Sequence, residues 1–130
     1  PPFFTDAERE AVLSLARVAI EGGADGLTCS NSREVEAPRL AAGKGGLSGG
    51  ALSDATPRIV AEVREAVGSG VPINACGGIT TAEQAIACLE AGATTVQIYS
   101  SLIYEGPRLL RTLTAGLAAS LATSAPGTQD

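Results

Sequence analysis

The chain has no histidine, no methionine and no tryptophan among its 130 residues. Without histidine, and with only Cys29, Cys76 and Cys88 at spacings that suit no metal, a zinc site or a Ser-His triad made from these residues is excluded. The three thiols read instead as small buried side chains in a reducing compartment. Aromatic residues make up 3% of the chain, so its core must be built from Ala, Val, Leu and Ile. Positive charge is scarce: the net charge is −5 and no basic stripe exists, which argues against nucleic acid as a partner. No apolar run approaches the ~20 residues that cross a bilayer as a helix. The lack of methionine, with Pro1-Pro2-Phe3-Phe4 reading as the middle of a loop, leads us to expect further residues upstream.

What the chain has in excess is glycine. Its 16 glycines are about twice average usage. They concentrate in two turns, Gly45-Gly46-Leu47-Ser48-Gly49 and Cys76-Gly77-Gly78-Ile79, and in short Gly-Ala pairs. Each turn falls where a strand or its loop should give way to a helix. Bare backbone N–H groups at such a junction favour an anion, because glycine allows close approach and a helix N-terminus attracts negative charge. Two such turns suggest one phosphate gripped from two sides.

The remaining pattern alternates helix and strand. Thr5 is the expected cap of a helix from Asp6, with Ala7, Val12, Leu15, Ala16, Ala19 and Ile20 near helical spacing and Gly22-Gly23 as its stop. A strand is expected over 25–30, then a long polar, glycine-rich connection over 33–54, a length that is usually functional. Asp54 or Thr56 should cap a second helix striped by Ile59, Val60, Val63 and Val67. A buried strand over 71–75 exits through Gly77-Gly78 into a helix capped by Thr80 or Thr81. A third strand is expected over 95–99. Pro107 then opens a last helix with Leu109, Leu110, Leu113 and Leu117 inward, and 123–130 should form a frayed tail. This order implies a parallel sheet, which must be covered on both faces. Three strands cannot close a barrel. The expected class is therefore α/β, the C-terminal part of a (β/α)8 TIM barrel over 1–122: about three β/α units plus a preceding helix. A three-stranded open domain is the alternative.

Several residues at the strand ends could carry chemistry. Asn31, between Ser30 and Ser32, offers donors and an acceptor to a planar heterocycle with amide groups, or simply starts a loop as an Asx turn. Lys44 could pair with an anion or lie solvated, and Tyr99 could pack on a cofactor ring or fill core. The strand–Gly-Gly-Ile–helix–Ala-Gly-Ala–strand pattern points to a phosphate but specifies no reaction.

Five motifs in register, Ser30-Asn31-Ser32, Gly45–Gly49, Cys76–Ile79, Val96-Gln97-Ile98-Tyr99-Ser100 and Tyr104-Glu105-Gly106-Pro107, resemble the C-terminal half of the dihydroorotate dehydrogenases. The last two are more like the quinone-using, membrane-associated class 2 enzymes. The resemblance, over about residues 1–118, implies an FMN-containing barrel that oxidises dihydroorotate to orotate in pyrimidine biosynthesis. By position, Asn31 and Ser32 would hold the orotate ring and Ser30 would touch the flavin. Ser48 and Gly49 would hold the FMN phosphate or ribityl chain. Gly77, Gly78, Tyr99 and Ser100 would complete the phosphate site. The family usually has threonine at the positions of Ser30 and Ser32 and a small aliphatic residue at that of Cys76. The resemblance also implies that the serine base, further asparagines and a flavin-contacting lysine lie upstream of Pro1, so that this stretch alone is inactive. It implies a quinone acceptor and peripheral membrane attachment through residues outside this stretch. The location would be the inner face of a bacterial inner membrane, or the mitochondrial inner membrane in a eukaryote. Another phosphate-gripping barrel enzyme, an isomerase or lyase, and a non-catalytic half-barrel are the competing readings.

Overall fold

A computed structural model describes residues 5–124 of the chain. Helix α1 spans Asp6–Glu21 and starts from a full capping box. The Thr5 hydroxyl accepts from the Glu8 amide, and the Glu8 carboxylate accepts from the Thr5 amide. Strand β1 (Leu27–Cys29) follows. The stretch expected as a structureless connection instead forms an antiparallel hairpin, β2 (Arg33–Glu36) with β3 (Lys44–Leu47), and a single 3-10 turn over Gly49–Leu52. Its glycine content hid the strand pattern: Gly45 and Gly46 sit inside β3, opposite Val35 and Glu34. Lys44 is solvent-exposed, the second of its two readings, and pairs with the equally exposed Glu34 across the hairpin at 2.9 Å.

Helix α2 (Ala55–Val67) leads to β4 (Ile73–Cys76), α3 (Ala82–Glu90) to β5 (Thr95–Gln97), and α4 (Ser100–Glu105) to α5 (Arg108–Ser124). Asp54 stands at the N-cap of α2 but its side chain makes no capping bond, and Thr56 is buried instead of capping. Thr81 caps α3, with Gln84 completing the box. The short α4 falls inside what was expected as loop. Helix α5 runs to Ser124, two residues into the expected tail, the rest of which lies outside the described residues.

The strands lie in the order β1-β4-β5, all parallel. Alternation along β4 decides what each face does. Ile73 and Ala75 are fully buried toward the helices, whereas Asn74 and Cys76 look the other way. Helices α1, α2, α3 and α5 form a row over the apolar face, with Ile59, Val60, Val63, Ala85 and Cys88 filling the space beneath them. Each fully buried Val, Leu or Ile side chain contributes about 1.5–3 kcal/mol. In α1 the structure buries Leu13 and Ala16 and leaves Leu15 61% exposed, because α1 meets α2 along one side only. Leu110 is likewise exposed, while Leu109 and Leu113 are buried as expected. The opposite sheet face carries Thr28, Asn74, Thr95 and Gln97, an open polar row.

Candidate functional site

The C-terminal ends of the three strands and the loops that follow them frame one cleft of about 370 Å³. Asn31 and Ser32 line it from the end of β1, Gly46, Ser48 and Gly49 from the hairpin and its exit, Gly77 and Gly78 from β4, and Tyr99 and Ser100 from β5. Eight of the nine residues singled out from the sequence thus share one cavity. The ninth, Ser30, is buried beneath it: its amide and hydroxyl donate to the Cys76 carbonyl at 2.8 Å and 3.2 Å. That places Ser30 as a tie between the ends of β1 and β4.

The second glycine turn meets the 3-10 turn that follows the first. A Cβ on Gly78, whose φ is +74°, would lie 2.4 Å from the Ser53 nitrogen and 2.5 Å from the Leu52 carbonyl carbon. Only glycine permits that backbone approach at that angle. Thr56 secures the same junction: its hydroxyl donates to the Gly77 carbonyl at 2.8 Å. On the other side, Ser48 and Ser100 hydroxyls are 3.2 Å apart. Ser101, buried, donates to the Ile79 carbonyl at 2.8 Å and holds the start of α4 against the second turn.

The donors available to an anion differ from the sequence expectation in one respect. The amides of Thr80 and Thr81, ahead of α3, are spent on the Gln84 side chain at 2.8 Å and 3.1 Å. The amides of Gly77, Gly78, Ser100 and Ser101 donate to no other described residue. The uncommitted amides are therefore those of the Gly77-Gly78 turn and of the first residues of α4, not those at the start of α3. Among the described residues no Asp, Glu, Lys or Arg lines the cleft, and its polar lining is amide and hydroxyl dipoles.

The sequence reading gave no site role to Leu52, Cys76, Ile79, Gln97, Ile98 or Ser101, which also line the cleft. Period-2 alternation could have found Gln97 and Cys76, which are register partners on the face away from the helices. Below the cleft, burial pushes the Cys29 thiol up from its ordinary value. Asn31 supplies a carboxamide whose Oδ1 accepts from the adjacent Ser32 amide at 2.8 Å, one residue short of the bond an Asx turn makes, and its NH₂ is committed to no described residue.

A family model described as dihydroorotate dehydrogenase matches residues 7–121. The chain belongs to the dihydroorotate dehydrogenase family. Among curated proteins it is similar to the quinone-type dihydroorotate dehydrogenase of Verminephrobacter eiseniae, with 42% identity over 106 residues, 78% of this chain and 29% of that protein. It is 39% identical over 121 residues to the corresponding protein of Parvibaculum lavamentivorans, covering 90% of this chain and 35% of the relative. Among solved structures it is similar to the DHODH of Eimeria tenella in complex with ferulenol, with a TM-score of 0.78 and 33% identity over 94% of this chain and 33% of that one. The chain thus spans about a third of the length of the relatives it matches. The fold class is α/β, and the three parallel strands with their helices are part of a (β/α)8 barrel, as expected.

Proposed function

We propose that this chain is the FMN- and orotate-binding C-terminal part of a quinone-dependent dihydroorotate dehydrogenase, an oxidoreductase of pyrimidine biosynthesis. One observation carries the reading above family membership: both glycine turns line one cleft, and the Gly77-Gly78 turn and the start of α4 present uncommitted amides to it. These residues fit a mononucleotide tail. A phosphate monoester is a compact acceptor of several hydrogen bonds, and free N–H groups on glycine-lined turns are the donors that suit it. Gly77, Gly78, Ser100 and Tyr99 hold the phosphate in this reading, with Ser48 and Gly49 beside the ribityl chain. Asn31 and Ser32 face the pyrimidine ring, and Ser30 supports them from beneath.

Bound there, FMN supplies the acceptor for the hydride lost from C6 of dihydroorotate. The chain's own residues bind and orient. Asn31 presents N–H donors to a ring carbonyl, and the turns anchor the phosphate. The proton lost from C5 needs a positioned base. In this reading the chain positions the substrate, and the base is the serine that the family resemblance places in another segment; among the described residues no carboxylate or amine lines the cleft. The names of the relatives support quinone as the electron acceptor. Among the described residues no helix is long and apolar enough to cross a membrane. Membrane attachment in this reading is peripheral and made by other residues, at a bacterial or mitochondrial inner membrane.

Flavin fluorescence tests the site directly. FMN should bind at least about tenfold tighter than riboflavin, because hydrogen bonds to a charged phosphate add about 1.5–3 kcal/mol each. Equal affinity, or none for either, rules out the phosphate cradle. The purified 130-residue chain should bind without oxidising dihydroorotate, and turnover by it would overturn the assignment of the base to another segment.

A further inference from the structure

We propose that Gln97 is a ligand-orienting residue of this cleft, locked by Asn74 so that its NH₂ donates to a carbonyl oxygen of a bound planar heterocycle. The inference deepens the proposed function and rests on it. Three side chains on the open face of the sheet form a directed chain. The Thr95 hydroxyl donates to Asn74 Oδ1 at 2.9 Å. Asn74 Nδ2 then donates to Gln97 Oε1 at 2.9 Å and approaches the Thr28 hydroxyl at 3.5 Å. Asn74 thereby uses both ends of its carboxamide, and Gln97 uses its acceptor end. What Gln97 keeps is the Nε2 group with two hydrogens, on a side chain that lines the cleft.

Asn31 arrives at the same polarity by a different route, since its Oδ1 is engaged by the Ser32 amide. Asn31 follows β1 and Gln97 ends β5, the two strands that flank β4. Two carboxamides thus line one cleft from opposite sides, each with its oxygen engaged and its donors free. A ligand rich in carbonyl acceptors meets this arrangement; one that must donate on both sides does not. Both the flavin ring and the pyrimidine ring present such carbonyls, and separate titrations tell which one Gln97 serves.

The test compares wild type, Gln97→Leu, Gln97→Glu and Asn74→Leu, titrating FMN and then orotate into flavin-loaded protein. Inorganic phosphate is titrated separately. Gln97→Leu should weaken one heterocycle about fivefold, the loss of one neutral hydrogen bond, and leave phosphate affinity unchanged. Gln97→Glu, nearly the same shape, should weaken it by ~50-fold, because a carboxylate has no donor and repels a carbonyl. Asn74→Leu keeps the Gln97 side chain but frees its amide to turn, and should cost about twofold. In ¹⁵N spectra of the wild type, the Gln97 NH₂ pair should move when that heterocycle is added and stay when phosphate is. A purely structural Gln97 would lower thermal stability and all three affinities together, and that result overturns the proposal. So does unchanged binding of both heterocycles by Gln97→Leu and Gln97→Glu while wild type binds FMN. If wild type binds no FMN, the flavin reading falls and this inference falls with it.

Discussion

Replacing Gly78 by alanine tests the junction on which the cleft depends. Two independent costs are legible. The first is conformational: φ is +74°, and a residue with a Cβ placed in the left-handed region loses about 1–2 kcal/mol. The second is steric. The new methyl would lie 2.4 Å from the Ser53 nitrogen, 2.5 Å from the Leu52 carbonyl carbon and 2.8 Å from the Ser53 Cα. All three are backbone atoms, so no side chain can rotate aside, and forced overpacking of this kind costs about 1–3 kcal/mol. The sum, about 2–5 kcal/mol, is a large part of the 5–15 kcal/mol that typically separates native from unfolded states.

Two neighbouring glycines separate the two costs. Gly49 has φ +76°, but its Cβ would meet only Ser100 Cβ at an ordinary 3.7 Å, so Gly49→Ala isolates the conformational term at about 1–2 kcal/mol. Gly50 has neither a positive φ nor any neighbour within 4 Å, so Gly50→Ala should stay within about 0.5 kcal/mol of wild type. Urea unfolding followed by far-ultraviolet circular dichroism gives all three values. The expected order of loss is Gly78, then Gly49, then Gly50. FMN affinity should fall furthest for Gly78→Ala, because the 3-10 turn must move away from β4 to admit the methyl. A Gly78→Ala variant no less stable than Gly49→Ala would refute the claim that the Gly77-Gly78 turn is in backbone contact with the 3-10 turn.

Other consequences are equally open to measurement. Arg64 donates to the carbonyls of Gly68 at 2.6 Å, Val71 at 2.7 Å and Gly92 at 2.8 Å and 3.1 Å, clamping the far end of the sheet. Arg64→Lys keeps the charge but not the planar fork, and should cost about 1.5–3 kcal/mol in urea unfolding; an unchanged midpoint would show that the clamp contributes nothing. Burial pushes the Cys88 thiol up to about 11 and raises that of Cys29. The folded state therefore holds these protons more tightly than the unfolded one. Stability should be unaffected by them below the ordinary thiol range and fall as pH rises through it toward about 11. Cys88→Ala should flatten that slope, and an identical slope in both proteins would dismiss the assignment.

Much of this fold was legible because local signals agreed with the tertiary solution. Thr5 and Thr81 each stand three residues before a Glu or Gln, and both build the capping boxes that such spacing allows. Ile59, Val60 and Val63 repeat at helical spacing and all become core. The hairpin was not legible, because Lys44-Gly45-Gly46-Leu47 has almost no strand propensity and is held by pairing with Arg33–Glu36. Packing also overrode pattern at Leu15, which has the right spacing but no element opposite it. At the site, the glycine turns announced themselves through the shape they require. Gln97 did not, since a single polar residue at a strand end has no signature until the register shows that Asn74 and Thr95 lie beside it.

That register carries a consequence for the barrel as a whole. Barrel interiors are usually filled by layers of Val, Ile and Leu drawn from alternate strands. Here the face turned away from the helices presents Thr28 on β1, Asn74 on β4 and Thr95 with Gln97 on β5, joined by hydrogen bonds from 2.9 Å to 3.5 Å. An apolar layer would pack well and say nothing about direction. A carboxamide between hydroxyls passes direction along, because each donor must find an acceptor, and the last member in the row, Gln97, lines the cleft. The row is open to solvent in this chain, and Asn74 has both ends of its carboxamide engaged. The polar layer thus links the middle of the sheet to the mouth of the barrel, and a change at Asn74, which does not line the cleft, should be felt by whatever Gln97 touches there.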